Sequence, residues 1–212
     1  MVRNPRPART AQTGGRLAYV LRDNLYLNVT DRCTLACRFC PKYRDDERRV
    51  QDIDLTLARQ PAAADVIAAI GDPSPYREVV FCGFGEPTLR LDTVLTVADW
   101  LKARGATVRL NTDGLANKVH KRNVLPDLKG RIDAVSVSMN AQNAEVYERH
   151  CRPALPGSYV AMLDFLREAP RYIPSVTATA IDGLEGVDIA ACERLAQECG
   201  VAFRRRVLDE VG

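Results

Sequence analysis

Four apolar runs in this 212-residue chain, LYLNVT, EVVFC, ATVRL and IDAVSVSM, each open directly onto a polar or glycine-bearing loop. Helical patterns separate most of them. AAADVIAAI follows Pro61, read as a first-turn proline, and ends at Gly71. Leu91 to Arg104 places Leu91, Val94, Leu95, Ala98 and Leu101 on one face before Gly105. Two further strands are expected at Val176–Ile181 and Val201–Val207, with helices at Ser158–Arg167 and Ile189–Cys199. The region around Pro126 is poorly patterned. Ahead of all this, LAYVLRDNLYLNVT reads as two short strands around Arg22-Asp23-Asn24.

Six strands alternating with helices argue for α/β architecture, a parallel sheet built by right-handed crossovers. A complete eight-unit barrel takes about 250 residues, more than this chain has. The expected fold is therefore a partial (βα)6 TIM-like barrel with a mainly parallel, curved sheet. In such a sheet the functional loops stand at the carboxyl ends of the strands. Four signatures fall there: TDRCTLACRFC, CGFGEPT, LNTDG and SVSMNAQ.

The net charge of +3 is unevenly placed, since Arg3, Arg6, Arg9 and Arg16 crowd a start that also carries Pro and Gly. Residues 1–16 are expected to be a flexible Arg/Pro-rich tail and residues 17–212 one domain. No window reads as a secretory signal or a membrane span. Seven cysteines, an odd number with four of them scattered, do not suggest a disulfide framework, and a cytoplasmic, reducing setting fits.

The remaining three cysteines, Cys33, Cys37 and Cys40, are spaced C-x3-C-x2-C. Thiolates select soft metals and iron–sulfur clusters. Three thiols converge on three corners of a cubane, while a [4Fe–4S] cluster ordinarily has four cysteine ligands, so one iron would be left for something that is not protein. The other reading is a structural zinc site completed by Asp31, His150 or Cys151. Cys82, Cys192 and Cys199 read as apolar core residues.

CTLACRFC, with aromatic Phe39 before its last cysteine, resembles the signature of the radical S-adenosylmethionine (SAM) superfamily. GFGEP resembles the family's glycine-glycine-glutamate motif after the second strand, and LNTDG its ribose-contact motif after the third. More narrowly, YLNVTDRC, VVFCGFGEPTLRLD, LNTDGLAN, VSMNA and ERHCRP are similar to the small radical SAM proteins called TatD-associated. The resemblance implies that Cys33, Cys37 and Cys40 bind [4Fe–4S] and that SAM chelates the fourth iron. A one-electron reductant such as flavodoxin or ferredoxin then triggers cleavage to a 5′-deoxyadenosyl radical, which takes hydrogen from a substrate, small molecule or protein, that the family does not identify.

It also implies SAM contacts. Gly83 and Gly85 would let backbone approach the methionine amino group, and Glu86 would steady that group or the loop, or simply close the turn before Pro87. Asn111 would serve the ribose, Ser138 and Asn140 the ribose or the carboxylate, and Phe39 the adenine. The loop departs from the family pattern because Phe84 stands where a glycine is usual when the motif is aligned on Glu86. Arg152 could hold a substrate carboxylate or phosphate, though a charged residue after a short helix is usually solvated. His150 reads as structural; Cys151 could ligate a second cluster or accept a hydrogen atom, but the chain lacks the closely spaced C-terminal cysteines of radical SAM proteins with extra clusters, and one cluster is expected. No membrane partner is expected, and nucleic acid is not expected although GFGEP is near the GMGEP of radical SAM RNA methyltransferases. The alternatives are an activating enzyme for a glycyl-radical protein and a zinc- or cluster-binding module without turnover.

Overall fold

The computed structural model of the protein describes residues 15–44 and 48–208. The tail expected at residues 1–16 therefore lies outside the described residues except for Gly15 and Arg16, and Arg16 N donates to Asp54 O at 3.3 Å.

Strand β1 (Ala18–Leu21) turns through Arg22 and Asp23 into antiparallel β2 (Asn24–Leu27), the hairpin expected from sequence. A short helix α1 (Pro41–Arg44) and a two-stranded ribbon of β3 (Arg49–Val50) and β4 (Ile53–Asp54) occupy the stretch between the hairpin and α2 (Ala63–Ile70). Then β5 (Glu78–Phe81), α3 (Leu91–Lys102), β6 (Val108–Thr112), α4 (Ala116–His120), α5 (Leu125–Leu128) and β7 (Ala134–Ser138) follow. Helices α6 (Ala144–Cys151) and α7 (Ser158–Glu168), strand β8 (Ser175–Asp182), α8 (Ile189–Glu198) and β9 (Ala202–Val207) complete the order. The seven-stranded sheet runs β1-β2-β5-β6-β7-β8-β9, antiparallel only at its first pair. The six parallel strands β2 and β5 to β9 are those of the expected open (βα)6 sheet.

Strand alternation divides the sheet into two chemistries. One face carries Leu25, Leu27, Val79, Phe81, Val108, Leu110, Val135 and Val137, all buried against helical residues such as Val94, Leu101, Met162 and Phe165. Each such side chain contributes about 1.5–3 kcal/mol when fully buried. The other face, aligned by the registers Tyr26–Val80–Arg109 and Asn111–Ser136–Thr177, turns polar toward the carboxyl ends. At its hairpin end a small second cluster of Tyr19, Tyr26, Leu55 and Val80 closes it.

Two boundaries differ from expectation for local reasons. Helix α2 begins at Ala63, not Pro61, because Ala62 is extended and the Asp65 carboxylate accepts its N–H at 3.0 Å, capping the helix there. Strand β6 extends through Asn111 and Thr112, so the face Asn111 presents is set by the strand and not by a loop.

Candidate functional site

The cysteine loop leaves β2 through Asn28, Val29 and Thr30, all fully buried. Cys33, Cys37 and Cys40 follow, each half-buried and free. Burial raises the Cys33 thiol, with the nearby Asp113 and Glu86 carboxyls adding to it. Contact with the Cys151 thiol, then burial, raises Cys37, and burial raises Cys40. All three are thus held as neutral thiols, and only a metal cation would draw the protons off. Among the described residues, no group of three or more His, Cys, Asp and Glu side chains is arranged around a single ion.

Three separate segments hold this loop. From β5, Glu86 N donates to Arg32 O at 2.8 Å. An added Cβ on Gly85 would stand 2.3 Å from Thr30 O, and one on Gly83 would stand 2.4 Å from Asn28 Oδ1, so both glycines are needed for close packing. From β6, the Asp113 carboxylate accepts from the Thr34 hydroxyl. From the end of α6, Cys151 O and His150 O accept from Ala36 N and Arg38 N at 3.0 and 2.8 Å, and Ala154 N donates to Thr34 O at 2.9 Å. Leu35 and Pro153 complete this strap as an isolated antiparallel bridge.

Glu86 is buried at 3% exposure and links the loops after β5 and β6. Its Oε1 accepts from Thr88 N, Thr88 Oγ1 and Thr112 Oγ1 at 3.0, 2.7 and 2.8 Å, and its Oε2 accepts from Asp113 N at 2.7 Å. Burial, then the charge of Asp113, pushes the Glu86 carboxyl up to about 8 despite those donors. Asp113 is pushed up as well, chiefly by burial. Two carboxyls sharing one buried network cannot both ionise cheaply.

The structure brings the other expected residues to the same end of the sheet. Ser138 ends β7. Asn140 is buried at φ 58°, donates its backbone N–H to Thr179 O at 2.9 Å and its amide to Cys151 Sγ at 3.7 Å. Asn111 Oδ1 accepts from Arg109 Nη1 at 3.2 Å. Phe39 is half-buried against the main core. Arg152 is exposed in the left-handed conformation at the end of α6, and His150 is fixed to Glu185 O at 2.7 Å. A hollow of about 500 Å³ lined by Gly71, Asp72, Pro73, Ser74 and Arg104 lies at the opposite end of the strands and holds none of these residues.

Sequence reasoning did not single out Tyr147, one helical turn before Cys151. It is fully buried, its hydroxyl has no hydrogen-bond partner among the described residues, and its pKa is raised by burial and by Cys151, Asp113, Cys37 and Cys33. Asn140 Oδ1 is likewise buried without a partner. Helical spacing placing Tyr147 four residues ahead of Cys151 on one face was the available signal. Orphaned buried polar atoms are rare in native proteins, and two of them stand beside three soft-metal thiols. This donor set fits an iron–sulfur cluster with a polar ligand at its open corner.

Comparison with known proteins agrees with the fold. S-adenosylmethionine-bound SuiB of Streptococcus suis superposes with a TM-score of 0.65 at 14% identity, over 88% of this chain and 40% of SuiB. SuiB bound to its precursor peptide SuiA gives 0.68 at 13% identity, over 89% and 40%. Methylornithine synthase PylB gives 0.55 at 14%, over 87% and 53%. A probable RNA methyltransferase of Azoarcus sp. (strain BH72) is 33% identical over 89 residues, 41% of this chain and 23% of the relative. Another, from Dechloromonas aromatica (strain RCB), is 28% identical over 130 residues, 59% of this chain and 33% of the relative. The chain thus spans a third or less of the curated relatives it matches. The profile of the radical SAM superfamily matches residues 27–199, from the last residue of β2 to the end of α8, and so takes in the cysteine loop, the Glu86 network and Asn140. The chain belongs to the radical SAM superfamily, whose cofactors are a [4Fe–4S] cluster and S-adenosylmethionine.

Proposed function

We propose that this protein is a radical enzyme whose cysteine loop binds [4Fe–4S] through Cys33, Cys37 and Cys40, with SAM bound along the ends of β5, β6 and β7. When bound, the two cofactors supply one-electron cleavage of the sulfonium C5′–S bond, giving methionine and a 5′-deoxyadenosyl radical that takes a hydrogen atom from substrate. The observation that carries this reading is the docking of a three-thiol loop onto three segments that also bring buried, partnerless Asn140 Oδ1 and Tyr147 OH to its side.

The chain's own residues divide the work. Asn140 Oδ1 accepts from a SAM hydroxyl, and Asn111, whose oxygen is taken by Arg109, offers its amide N–H to the ribose. Ser138 stands at the same edge for the carboxylate or ribose, and Phe39 covers the adenine. Gly83 and Gly85 give their Cα sides to the cysteine loop and their backbone polar groups to the methionine end. Glu86, with both oxygens occupied by protein donors, positions these loops. A flavodoxin- or ferredoxin-type reductant supplies the electron. Seven free thiols agree with a cytoplasmic, reducing setting, and none of the described helices is long and apolar enough to cross a membrane.

The substrate is a small molecule or a protein, the latter if this is an activating enzyme. A second reading, RNA methyl transfer, is favoured by the names of the two curated relatives.

Anaerobic reconstitution with iron and sulfide, followed by reduction with SAM present, is expected to release 5′-deoxyadenosine and methionine, and Cys37→Ala to abolish both. A protein that retains its full metal content in Cys37→Ala and forms no 5′-deoxyadenosine would sink the reading. Isotopic methyl from SAM appearing in added RNA would move the assignment to the second reading.

A further inference from the structure

Strand β9 ends in Arg204-Arg205-Arg206, and alternation sends Arg204 and Arg206 to one face and Arg205 to the other. The registers Arg204–Thr179 and Arg206–Ile181, with Ser138–Thr179 on the next strand, put that pair on the same polar face as Ser138, Ser136 and Asn111. Arg205 on the opposite face pairs with Asp182 at 2.5 Å. Arg109, lower on the polar face, pairs with Glu78 at 3.1 Å, both poorly exposed. Arg204 and Arg206 differ: among the described residues neither has an ion pair or hydrogen bond.

Arg206 is also the less exposed of the two. Burial and the adjacent Arg204 cation pull its pKa down, and its guanidinium lies close enough to Cys82 at the end of β5 and to Cys37 to feel both thiols. Strand register puts Arg206 at the carboxyl end of the last strand, on the polar face that the cysteine loop also borders. Two like charges on one face, one of them half-buried and neither ion-paired nor hydrogen-bonded among the described residues, repel each other. An anion between them relieves that repulsion.

We infer that Arg206, assisted by Arg204, forms an oxyanion site that holds a carboxylate or phosphate group of the substrate at the mouth of the sheet, beside the cysteine loop. The guanidinium fork suits either group because both present two coplanar oxygens. The site rests on the radical SAM reading only in supposing that substrate enters at this mouth; its anion binding is measurable without turnover.

The test is calorimetric titration of the anaerobically reconstituted, SAM-loaded protein with inorganic phosphate and with acetate. The wild type is expected to bind at least one of them, with the stronger of the two naming the oxyanion. Arg206→Gln is expected to weaken that binding about tenfold or more, the scale of losing a charge-assisted hydrogen bond. Arg206→Lys should fall between, and Arg205→Gln, on the other face, should bind as the wild type does. Affinity for SAM and the yield of 5′-deoxyadenosine without added substrate are expected to be unchanged in Arg205→Gln, and affinity for SAM to be retained in Arg206→Gln. Equal anion binding in wild type and Arg206→Gln overturns the proposal. So does a selective loss of SAM affinity, which would give Arg206 to the SAM carboxylate, or a shifted cluster potential with anion binding intact, which would make it a neighbour tuning the cluster. Failure of SAM cleavage in the wild type with the anion result intact would instead remove the functional reading and leave the site.

Discussion

The two sides of the strand-end surface satisfy their polar groups differently. At the ends of β5 and β6, both oxygens of the Glu86 carboxylate are used, by four protein donors, and Asp113 accepts from Thr34 Oγ1 and Leu115 N. Toward β7 and β9, Asn140 Oδ1, Tyr147 OH and the Arg206 guanidinium stand buried or half-buried with no hydrogen-bond partner among the described residues. At these two carboxyls the first side is satisfied by the chain itself and acts as framework, while Asn28 Oδ1 beside Gly83 is buried without a partner among the described residues. The second is left incomplete in the places where a ligand's donors and acceptors would enter.

The contrast breaks most severely at Glu86. Glu86→Ala leaves four buried donors, Thr88 N, Thr88 Oγ1, Thr112 Oγ1 and Asp113 N, without their acceptor. Unfolding by denaturant is expected to show a loss of about 2–4 kcal/mol. A loss below about 0.5 kcal/mol would mean the network is ornament and the two sides do not differ in kind.

A smaller effect follows from protonation. Since the folded Glu86 carboxyl is raised from 4.5 to about 8, the native state binds the proton more tightly than the unfolded chain between those values. Its contribution to stability is therefore complete below about pH 4.5 and is lost as pH rises through about 8. Denaturation midpoints measured across this window are expected to decline with a slope of at most about 1.4 kcal/mol per pH unit, and the decline is expected to flatten in Glu86→Gln. An opposite slope attributable to Glu86 would show that its four donors, and not burial, set its charge.

The smallest effect is expected on the incomplete side. Tyr147→Phe removes a hydroxyl that bonds to none of the described residues, so the cluster-free protein is expected to keep its stability within about 0.5 kcal/mol. A loss above about 1 kcal/mol would reveal a protein partner for that hydroxyl and erase the distinction at this position.

Much of the framework was legible. Apolar runs ending in polar loops are what a parallel sheet covered by helices imposes, so strand order and the edge bearing the signatures could be read directly. Cys33, Cys37 and Cys40 were legible because closely spaced thiols in a charged setting have few other uses. The partners of Glu86 were not, because Thr112 and Asp113 come from a different strand and no spacing rule joins them. The end of β6 was misjudged by two residues because Asn111 and Thr112 suit a turn as well as a strand. Tyr147 and Cys151 look like ordinary buried residues of an amphipathic helix. Only the fold discloses that their helix lies against the cysteine loop. Likewise Arg206 was one of three adjacent arginines until strand register assigned it a face.

The strap between residues 34–38 and 150–154 has a temporal consequence. Early in synthesis the three thiols have only local turns to order them. Their final arrangement waits for a helix made much later, which joins loop placement to completion of the sheet's far half.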